Sequence, residues 1–164
     1  MSEQKLYYDY IDTPLGELEL TSSSNYLLSV LFVKTEKNVL DKQPVLYSEI
    51  NEEAKKQLDA FFKKELTQFK LPINPAGTEF QKMVWSELVK IPFGTTISYL
   101  TLAKKLGDAN SIRAAASANG KNPITIIIPC HRVIGSDGKL VGYSGDMWRK
   151  QWLLNHESKQ ESLF

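Results

Sequence analysis

An apolar run that ends at a proline is the feature that most restricts how this chain can fold. Residues 124–128 contain four isoleucines and one threonine, and Pro129 follows them directly. Such a β-branched run favours a buried strand, and proline ends a strand because it has no amide proton to donate. We therefore predict a buried strand that stops at Pro129. The next residue, Cys130, should then lie half inside and half outside the protein.

Cys130 is the only cysteine among 164 residues, and His131 beside it is one of only two histidines. An adjacent imidazole can accept the thiol proton, and a thiolate is a much stronger nucleophile than a thiol. The pair is therefore a candidate nucleophile and base. On these two residues alone, a buried and inert cysteine is the more common outcome.

The scarcity of cysteine and histidine limits the possible metal sites and compartments. One cysteine cannot form an internal disulfide, which fits a reducing cytosol. The chain has too few soft ligands for a zinc site of the usual kind, so we expect no metal. Residues 1–5 lack the features of a signal peptide, and no apolar run approaches a membrane span. We expect a cytoplasmic protein.

The two halves of the chain differ in charge. Residues 1–76 carry 9 basic and 12 acidic side chains, whereas residues 77–164 carry 11 basic and 7 acidic ones, which gives −3 and +4. A basic C-terminal half suits a phosphate backbone, but the excess is smaller than in a dedicated nucleic-acid binder. Charge alone does not indicate DNA binding.

Residues 1–76 predict a small N-terminal α/β domain that ends in a linker. Alternation puts Leu18 and Leu20 on one face of a sheet, and a helix with apolar residues from Ile50 to Phe62 is expected to cover it. Residues 66–76, with two prolines, predict an extended segment. The sheet is predicted to be antiparallel, with three strands at residues 6–11, 16–22 and 26–33.

Residues 77–157 predict a mostly helical domain, so the fold class is α+β. A capping box at Thr78–Gln81 should begin one helix, which Pro92 and Gly94 end. Helices at residues 99–106 and about 111–119, joined by residues 107–110, have the spacing of a helix-turn-helix. Since many helical hairpins bind no nucleic acid, this spacing leaves both interpretations open.

The second of these two helices consists almost entirely of small side chains. Arg113 is followed by Ala114, Ala115, Ala116 and Ser117. Such a helix cannot reach bases with long side chains, but its backbone can approach another surface closely. A tight contact between two helices would explain the same composition.

A last helix is predicted from Met147 to Asn155. Trp148 and Trp152 are expected in the core, and Glu157 should lie just past the helix end. Asp146 is a candidate N-cap. Residues 158–164 form a polar tail.

The sequence Pro129-Cys130-His131-Arg132-Val133-Ile134 resembles the active-site signature of the O6-alkylguanine-DNA alkyltransferases, also called methylated-DNA–protein-cysteine methyltransferases. The resemblance covers residues 78–157 and implies a DNA repair protein without a cofactor. Such a protein flips O6-alkylguanine, and O4-alkylthymine, out of duplex DNA and transfers the alkyl group irreversibly to Cys130 in one turnover. Further motifs occur in the family's order: Ile91–Gly94, Ser98-Tyr99, Arg113–Ala115, Asn122-Pro123, Gly142–Gly145 and Trp152–Glu157.

The resemblance also implies roles for individual residues. Cys130 would be the nucleophile, His131 its base and Glu157 the group that orients His131. Tyr99 would donate a proton to the leaving guanine, and Asn122 would brace the turn that carries Cys130.

Contacts to the base and to DNA are implied in the same way. The Ser144 amide would bind O6, the carbonyls of Cys130 and Val133 would accept from the exocyclic amine, and Tyr143 lies in the loop that faces the pocket. Arg113 would enter the base stack in place of the flipped base. The small side chains that follow would lie in the minor groove, namely Ala114, Ala115 and Ser117.

Two other functions remain open at this stage. One is a module that binds or senses DNA lesions without transfer, and the other is a hydrolase with a Cys-His-Glu set. The protein is expected to be a monomer. In addition, Gln160–Phe164 resembles short peptides that dock on bacterial sliding clamps, although terminal residues are more often frayed.

Overall fold

The computed structural model describes residues 4–34, 42–135 and 147–158, in two compact units, Met1–Ala76 and Gly77–Phe164. Several predictions fall outside the described residues. These are the substrate contacts of Tyr143 and Ser144, the N-cap at Asp146 and the docking peptide Gln160–Phe164.

The described part of the first unit contains a three-stranded antiparallel sheet and one helix, as predicted. The strands pair in the order β1-β2-β3, and Gly16 makes the β1–β2 turn with a φ of 121° that favours glycine. The elements are β1 (Tyr7–Thr13), β2 (Gly16–Ser22), β3 (Leu27–Phe32) and α1 (Glu49–Phe62).

The core of this unit lies between the sheet and α1. Leu18 and Leu20 are fully buried, which confirms the predicted face of β2, and α1 buries Ala54, Leu58 and Phe61. The segment after α1 is not a free linker, because Ile73 pairs with Leu27 in a parallel bridge. Backbone hydrogen bonds from Leu27 to Pro72 and from Asn74 to Leu27 hold this bridge.

The second unit is mostly helical, which confirms the α+β class. The Thr78–Gln81 capping box is formed at the start of its first helix, and the two short helices of the predicted hairpin are present. The elements are α2 (Glu79–Val89), β4 (Ile97–Ser98), α3 (Tyr99–Lys105), α4 (Ile112–Gly120), a 3-10 turn at Cys130–Arg132, β5 (Val133–Ile134) and α5 (Met147–Glu157). β4 and β5 pair in parallel, and the Trp85 indole N–H of α2 donates to the Ala118 carbonyl of α4 at 2.9 Å.

The predicted strand at residues 124–128 is wrong. This run folds into a tight turn in which the Ile128 amide donates to the Ile124 carbonyl at 3.0 Å, and Ile126 has a φ of 72°. Periodicity cannot separate a buried strand from another buried segment when the run is short. The isoleucines are apolar because the turn is buried, and Cys130 behind it is fully buried rather than half exposed.

The predicted buried face of α5 is also wrong. Trp148 is 50% exposed and Trp152 is only half-buried, whereas Lys150 and Leu153 are fully buried. Glu157 is the last residue of the helix instead of lying past it. The helix turns this way because Lys150 and Glu157 bind partners in and beside the Cys130 turn, and those bonds outweigh the burial of a tryptophan ring.

Candidate active site

Cys130 lies at the start of the 3-10 turn, and Asn122 holds the backbone before it. The Asn122 amide nitrogen donates to the Ile128 carbonyl at 2.7 Å, while its oxygen accepts from the Ile124 amide at 2.9 Å. One side chain thus closes both ends of the tight turn. This is the bracing contact that was predicted for Asn122, and it stabilises the left-handed backbone of Ile126, which a β-branched residue rarely adopts.

Glu157 joins the turn to α5 through a fully formed set of hydrogen bonds. Its Oε2 lies 2.7 Å from His131 Nε2, and Arg132 donates to both oxygens, with Nε 2.9 Å from Oε1 and Nη2 2.9 Å from Oε2. The Gly94 amide donates to Oε1 at 3.3 Å. All three residues of this cluster, His131, Arg132 and Glu157, are buried. His131 and Glu157 were predicted for the site, and Arg132 is the residue that follows His131.

The charge of Glu157 determines the state of His131. Burial raises the pKa of Glu157, but hydrogen bonds from His131 and Arg132 outweigh burial and hold that pKa at about 2. An ionised carboxylate has no proton to donate, so His131 must donate from Nε2. Burial lowers the pKa of His131 even though Glu157 raises it, which favours the neutral ring. Nδ1 then carries a lone pair, and it has no hydrogen-bond partner among the described residues.

Cys130 is a thiol at neutral pH in this pocket. Burial raises the pKa of Cys130 to about 11, although a hydrogen bond from the Asn122 side chain and the charge of Lys150 lower it. A reaction that needs the thiolate must therefore remove the proton during the reaction itself. The neutral His131 next to it in the turn is the base that the site offers.

Tyr99 and two residues that the sequence did not reveal complete the pocket. Asn119 donates from one nitrogen to the Tyr99 hydroxyl and to the Cys130 carbonyl, each at 3.3 Å. Burial and then the Cys130 charge raise the pKa of Tyr99 to about 12, so its phenol keeps its proton. The Lys150 ammonium donates to the Val133 carbonyl at 2.6 Å and lies 5.8 Å from the centre of the Tyr99 ring.

The sequence analysis did not predict Arg132, Asn119 or Lys150 as residues of the site. Arg132 lies inside the quoted signature, but nothing in the sequence says which carboxylate it binds. Asn119 stands among small helical residues, and Lys150 between two tryptophans looks like a surface charge. In the structure Lys150 is buried instead. Burial lowers the pKa of Lys150 to about 8, although the charge of Cys130 raises it.

The predicted DNA-binding residues lie on α4. Arg113, Ala114 and Ser117 are exposed on this helix. Ala115, predicted for the same DNA contact, is fully buried, so its methyl group faces the interior of the unit. Ala115 instead allows close packing on the inner side of α4.

No group of three or more histidine, cysteine, aspartate or glutamate side chains in the described ranges could hold a metal ion. Within the same ranges, no helix is long and apolar enough to cross a membrane.

The chain is similar to known proteins over nearly its whole length. Residues 6–75 match the family model described as 6-O-methylguanine DNA methyltransferase, ribonuclease-like domain, and residues 79–159 match its DNA binding domain. A methylated-DNA–protein-cysteine methyltransferase of Methanosarcina barkeri is 42% identical over 153 residues, which cover 93% of this chain and 97% of that protein.

Solved structures agree with this similarity. The O6-methylguanine methyltransferase of Mycobacterium tuberculosis superposes with a TM-score of 0.83, at 39% identity over 93% of each chain. The structure of Mycobacterium tuberculosis OGT in complex with DNA gives a TM-score of 0.81, at 38% identity over 96% of this chain and 99% of that one.

Acid should weaken the fold through Glu157 and His131. The pKa of Glu157 is about 2 in the folded protein against an ordinary 4.5, so its contribution is present above pH 4.5 and is lost as the pH falls toward 2. The pKa of His131 is lowered from 6.5, so below that pH the unfolded chain binds its proton first and stability also falls. We expect the free energy of unfolding in urea to drop on acidification, with Glu157 contributing on the order of 3 kcal/mol. A Glu157→Gln variant is the control, and an equal loss below pH 4.5 in both proteins would contradict this assignment.

Proposed function

The chain belongs to the 6-O-methylguanine DNA methyltransferase family and repairs DNA by alkyl transfer, and from this premise we propose that Cys130 is the alkyl acceptor. One observation carries the proposal. The family transfers its group to a protein cysteine, and Cys130 is the only cysteine in the chain. It lies in the same turn as His131, whose partner is the ionised Glu157.

In the proposed step, Cys130 Sγ attacks the alkyl carbon while the bond from that carbon to guanine O6 breaks. The thiol proton passes to Nδ1 of His131, and Glu157 stabilises the imidazolium that forms. The electron pair of the broken bond leaves with guanine, and the Tyr99 phenol protonates a ring nitrogen. Proton exchange with solvent afterwards restores Tyr99 and His131.

The proposed substrate contacts surround this centre. The carbonyls of Cys130 and Val133 would accept from the exocyclic amine. The Val133 carbonyl already accepts from Lys150, and the Cys130 carbonyl already accepts from Asn119 and from the Val133 amide. At Cys130 the exocyclic amine would therefore have to share the acceptor or displace one of these donors. The Ser144 amide is proposed to bind O6, and Tyr143 is proposed to contact the base. O4-alkylthymine, which also presents an alkoxy group beside a ring nitrogen, is a second proposed substrate.

Each molecule is proposed to act once. The product is a thioether on Cys130, which has neither a good leaving group nor a hydrolytic route back to the thiol. The protein is then consumed in proportion to the lesions it repairs, and the step requires no metal or organic cofactor.

Base flipping is proposed because the acceptor is inside the protein. Cys130 has no exposed surface, and a base held in the stack cannot enter the interior of the protein, so the nucleotide must leave the stack to reach the thiol. Arg113 is exposed near the start of α4. It would fill the gap in the stack while Ala114 and Ser117 lie against the minor groove.

Two alternative functions are less well supported. A lesion-binding module without transfer would not need a cysteine beside a histidine and carboxylate pair. A hydrolase would use the same three groups, but it would release its product and turn over. Neither alternative leaves an alkyl group on the protein. The mass of the protein after the reaction therefore separates both alternatives from the proposal.

The remaining proposals concern where and with what the protein acts. We propose that it works as a monomer in the cytoplasm on double-stranded DNA. Gln160–Phe164, with two apolar residues at its end, is proposed to dock on a sliding clamp. Such a peptide buries adjacent apolar side chains in a preformed groove while a glutamine sets the register.

Cys130→Ala should abolish transfer and leave DNA affinity largely intact, because phosphate and groove contacts supply the binding. Intact mass spectrometry after mixing with an O6-methylguanine duplex should show one added methyl group on the wild-type protein and none on the variant. Stoichiometric methylation of the variant would reject Cys130 as acceptor, and repeated turnover by the wild type would favour a hydrolase.

Arg113→Ala should slow repair of duplex DNA much more than reaction with the free alkylated base, since only the duplex requires flipping. Single-turnover rates on the two substrates measure the difference. Lys121→Ala, at the C-cap of the same helix, is the control for the loss of a positive charge. Equal losses on both substrates would remove Arg113 from this role.

Removing residues 158–164 should abolish binding to the clamp while leaving alkyl transfer unchanged. We expect a Kd in the micromolar range or weaker, on the order of 10⁻⁶ M, because the segment loses conformational entropy when it binds. Fluorescence titration of the full chain and the shortened one against a bacterial clamp tests this. Equal binding by both chains, or none by either, would reject the docking peptide.

A further inference from the structure

We propose that Arg132 and the turn Ile91–Gly94 form a clamp that positions the Glu157 carboxylate and thereby fixes the tautomer of His131. The clamp is defined by four residues: Arg132, Ile91, Phe93 and Gly94. The inference deepens the proposed function, since it rests on His131 as the base that accepts the thiol proton. Arg132 is a positioning residue in this account, because it acts through Glu157 and His131 rather than on the substrate.

The guanidinium of Arg132 is held on three sides. Its Nε and Nη2 form a two-bond fork with the two oxygens of Glu157, both at 2.9 Å, and this planar geometry matches a carboxylate. Its Nη1 donates to the Ile91 carbonyl at 2.7 Å. The Phe93 ring lies with its centre 5.8 Å from Cζ. The turn after α2 therefore fixes the orientation of the guanidinium, and with it the direction of the two hydrogen bonds to Glu157.

Gly94 adds the fourth hydrogen bond to the carboxylate. Oε1 of Glu157 accepts from Arg132 Nε and from the Gly94 amide at 3.3 Å, while Oε2 accepts from Arg132 Nη2 and His131 Nε2. Each oxygen thus accepts two hydrogen bonds. Gly94 has a φ of 78°, a conformation in which other residues are strained. The sequence Ile91-Pro92-Phe93-Gly94 is used here as a backbone support for the carboxylate.

The clamp decides which nitrogen of His131 is free. With Oε2 fixed and ionised, Nε2 must carry the proton that it shares with Glu157, and the lone pair is left on Nδ1. A glutamate without the fork could rotate about its side-chain bonds, and the imidazole could then populate the other tautomer. In that tautomer the nitrogen facing away from Glu157 already has a proton and cannot accept one from the thiol.

The charge of Arg132 has a second effect on His131. The charged and titratable groups that act on the ring are Glu157 and Lys150 from α5 and Arg132 from its own turn. The other helix packed on this turn, α2, buries Val84, Trp85 and Leu88, none of which titrates. Glu157 raises the pKa of His131, whereas Arg132 and Lys150 lower it. Arg132 therefore keeps the ring neutral while it holds the carboxylate that orients the ring.

Stability alone does not account for this arrangement. Placing an ion pair in the interior costs desolvation energy, and well-packed apolar side chains often serve as well or better. An apolar residue at position 132 would fill the space, but it could not direct Glu157. The arrangement therefore points to control of the His131 base.

The test compares Arg132→Met and Arg132→Lys with the wild type in ¹⁵N-histidine NMR and in single-turnover transfer rates from acid to neutral pH. The chain has only two histidines, so His156, stacked on Trp152 at 4.8 Å, reports on the fold in the same spectrum. Arg149→Met is the matched control, because Arg149 lies over the Trp148 ring on the same unit.

Wild type and Arg149→Met should show His131 protonated at Nε2 alone. Arg132→Met should show both tautomers, a raised pKa of His131, and a transfer rate lowered on the order of tenfold to a hundredfold, with the acid limb of the rate profile moved to higher pH. Arg132→Lys should lie between them, since it keeps the charge but not the fork. Wild-type tautomer, pKa and pH profile in Arg132→Met, with only lower stability, would overturn the proposal.

A second variant keeps the proposal testable if Arg132→Met does not fold. Gly94→Ala retains every charge but strains the turn that supplies the amide and the Ile91 carbonyl. In this variant His131 should populate both tautomers and transfer should be slower, while the pKa of His131 changes little. A His131 ring protonated at Nε2 alone, together with the wild-type rate, would overturn the proposal. Failure of the proposed function would appear separately, as absence of methyl from Cys130 in the wild type, because the NMR measurements do not depend on transfer.

Discussion

A buried carboxylate is the constraint on which the second unit depends. Glu157 is 2% exposed, and an unpaired ion at such a depth would cost several kcal/mol. Of its four donors, one comes from the turn after α2 and three come from the Cys130–Arg132 turn. The satisfaction of one charge therefore brings together segments that are up to 63 residues apart in sequence. The orientation of α5, with Lys150 inward and Trp148 outward, follows from the same requirement.

The burial of Cys130 links chemistry to binding. In a pocket without exposed surface the thiol keeps its proton, since burial raises the pKa of Cys130 to about 11. Such a thiol reacts little with solutes in the solvent, and in the proposed reaction it is activated only when a substrate atom and a base are both beside it. The neutral His131 and the protonated Tyr99 are already in the states that acid-base work needs. The proposed alkyl transfer to Cys130 is thus compatible with a thiol that is unreactive while no substrate is bound.

The isoleucine run does not form the predicted strand, and the tryptophans of α5 do not form the predicted core, for one physical reason. Large apolar residues usually indicate burial within regular structure, so the pattern predicts both. In this protein, polar groups determine both segments. Asn122 closes the isoleucine run into a turn through hydrogen bonds at both ends, and Lys150 and Glu157 decide which face of α5 turns inward. Hydrophobic patterns carry no information about such bonds, so the pattern predicted the burial but not the geometry.

The sequence by itself determined the α+β class, the three strands of the first unit and the capped helix at Thr78. It also predicted Cys130, His131 and, through the family resemblance, Glu157 as the residues of the proposed reaction. These follow from local periodicity, from caps that act within three residues, and from a short signature that stands around a unique cysteine. Only the tertiary structure decided that Cys130 is fully buried and that Arg132 donates two hydrogen bonds to Glu157. It also decided that Asn119 and Lys150 bind the carbonyls of Cys130 and Val133. Those facts depend on contacts between residues 11 to 41 positions apart, and no pattern along a chain encodes the distance or direction of such a contact.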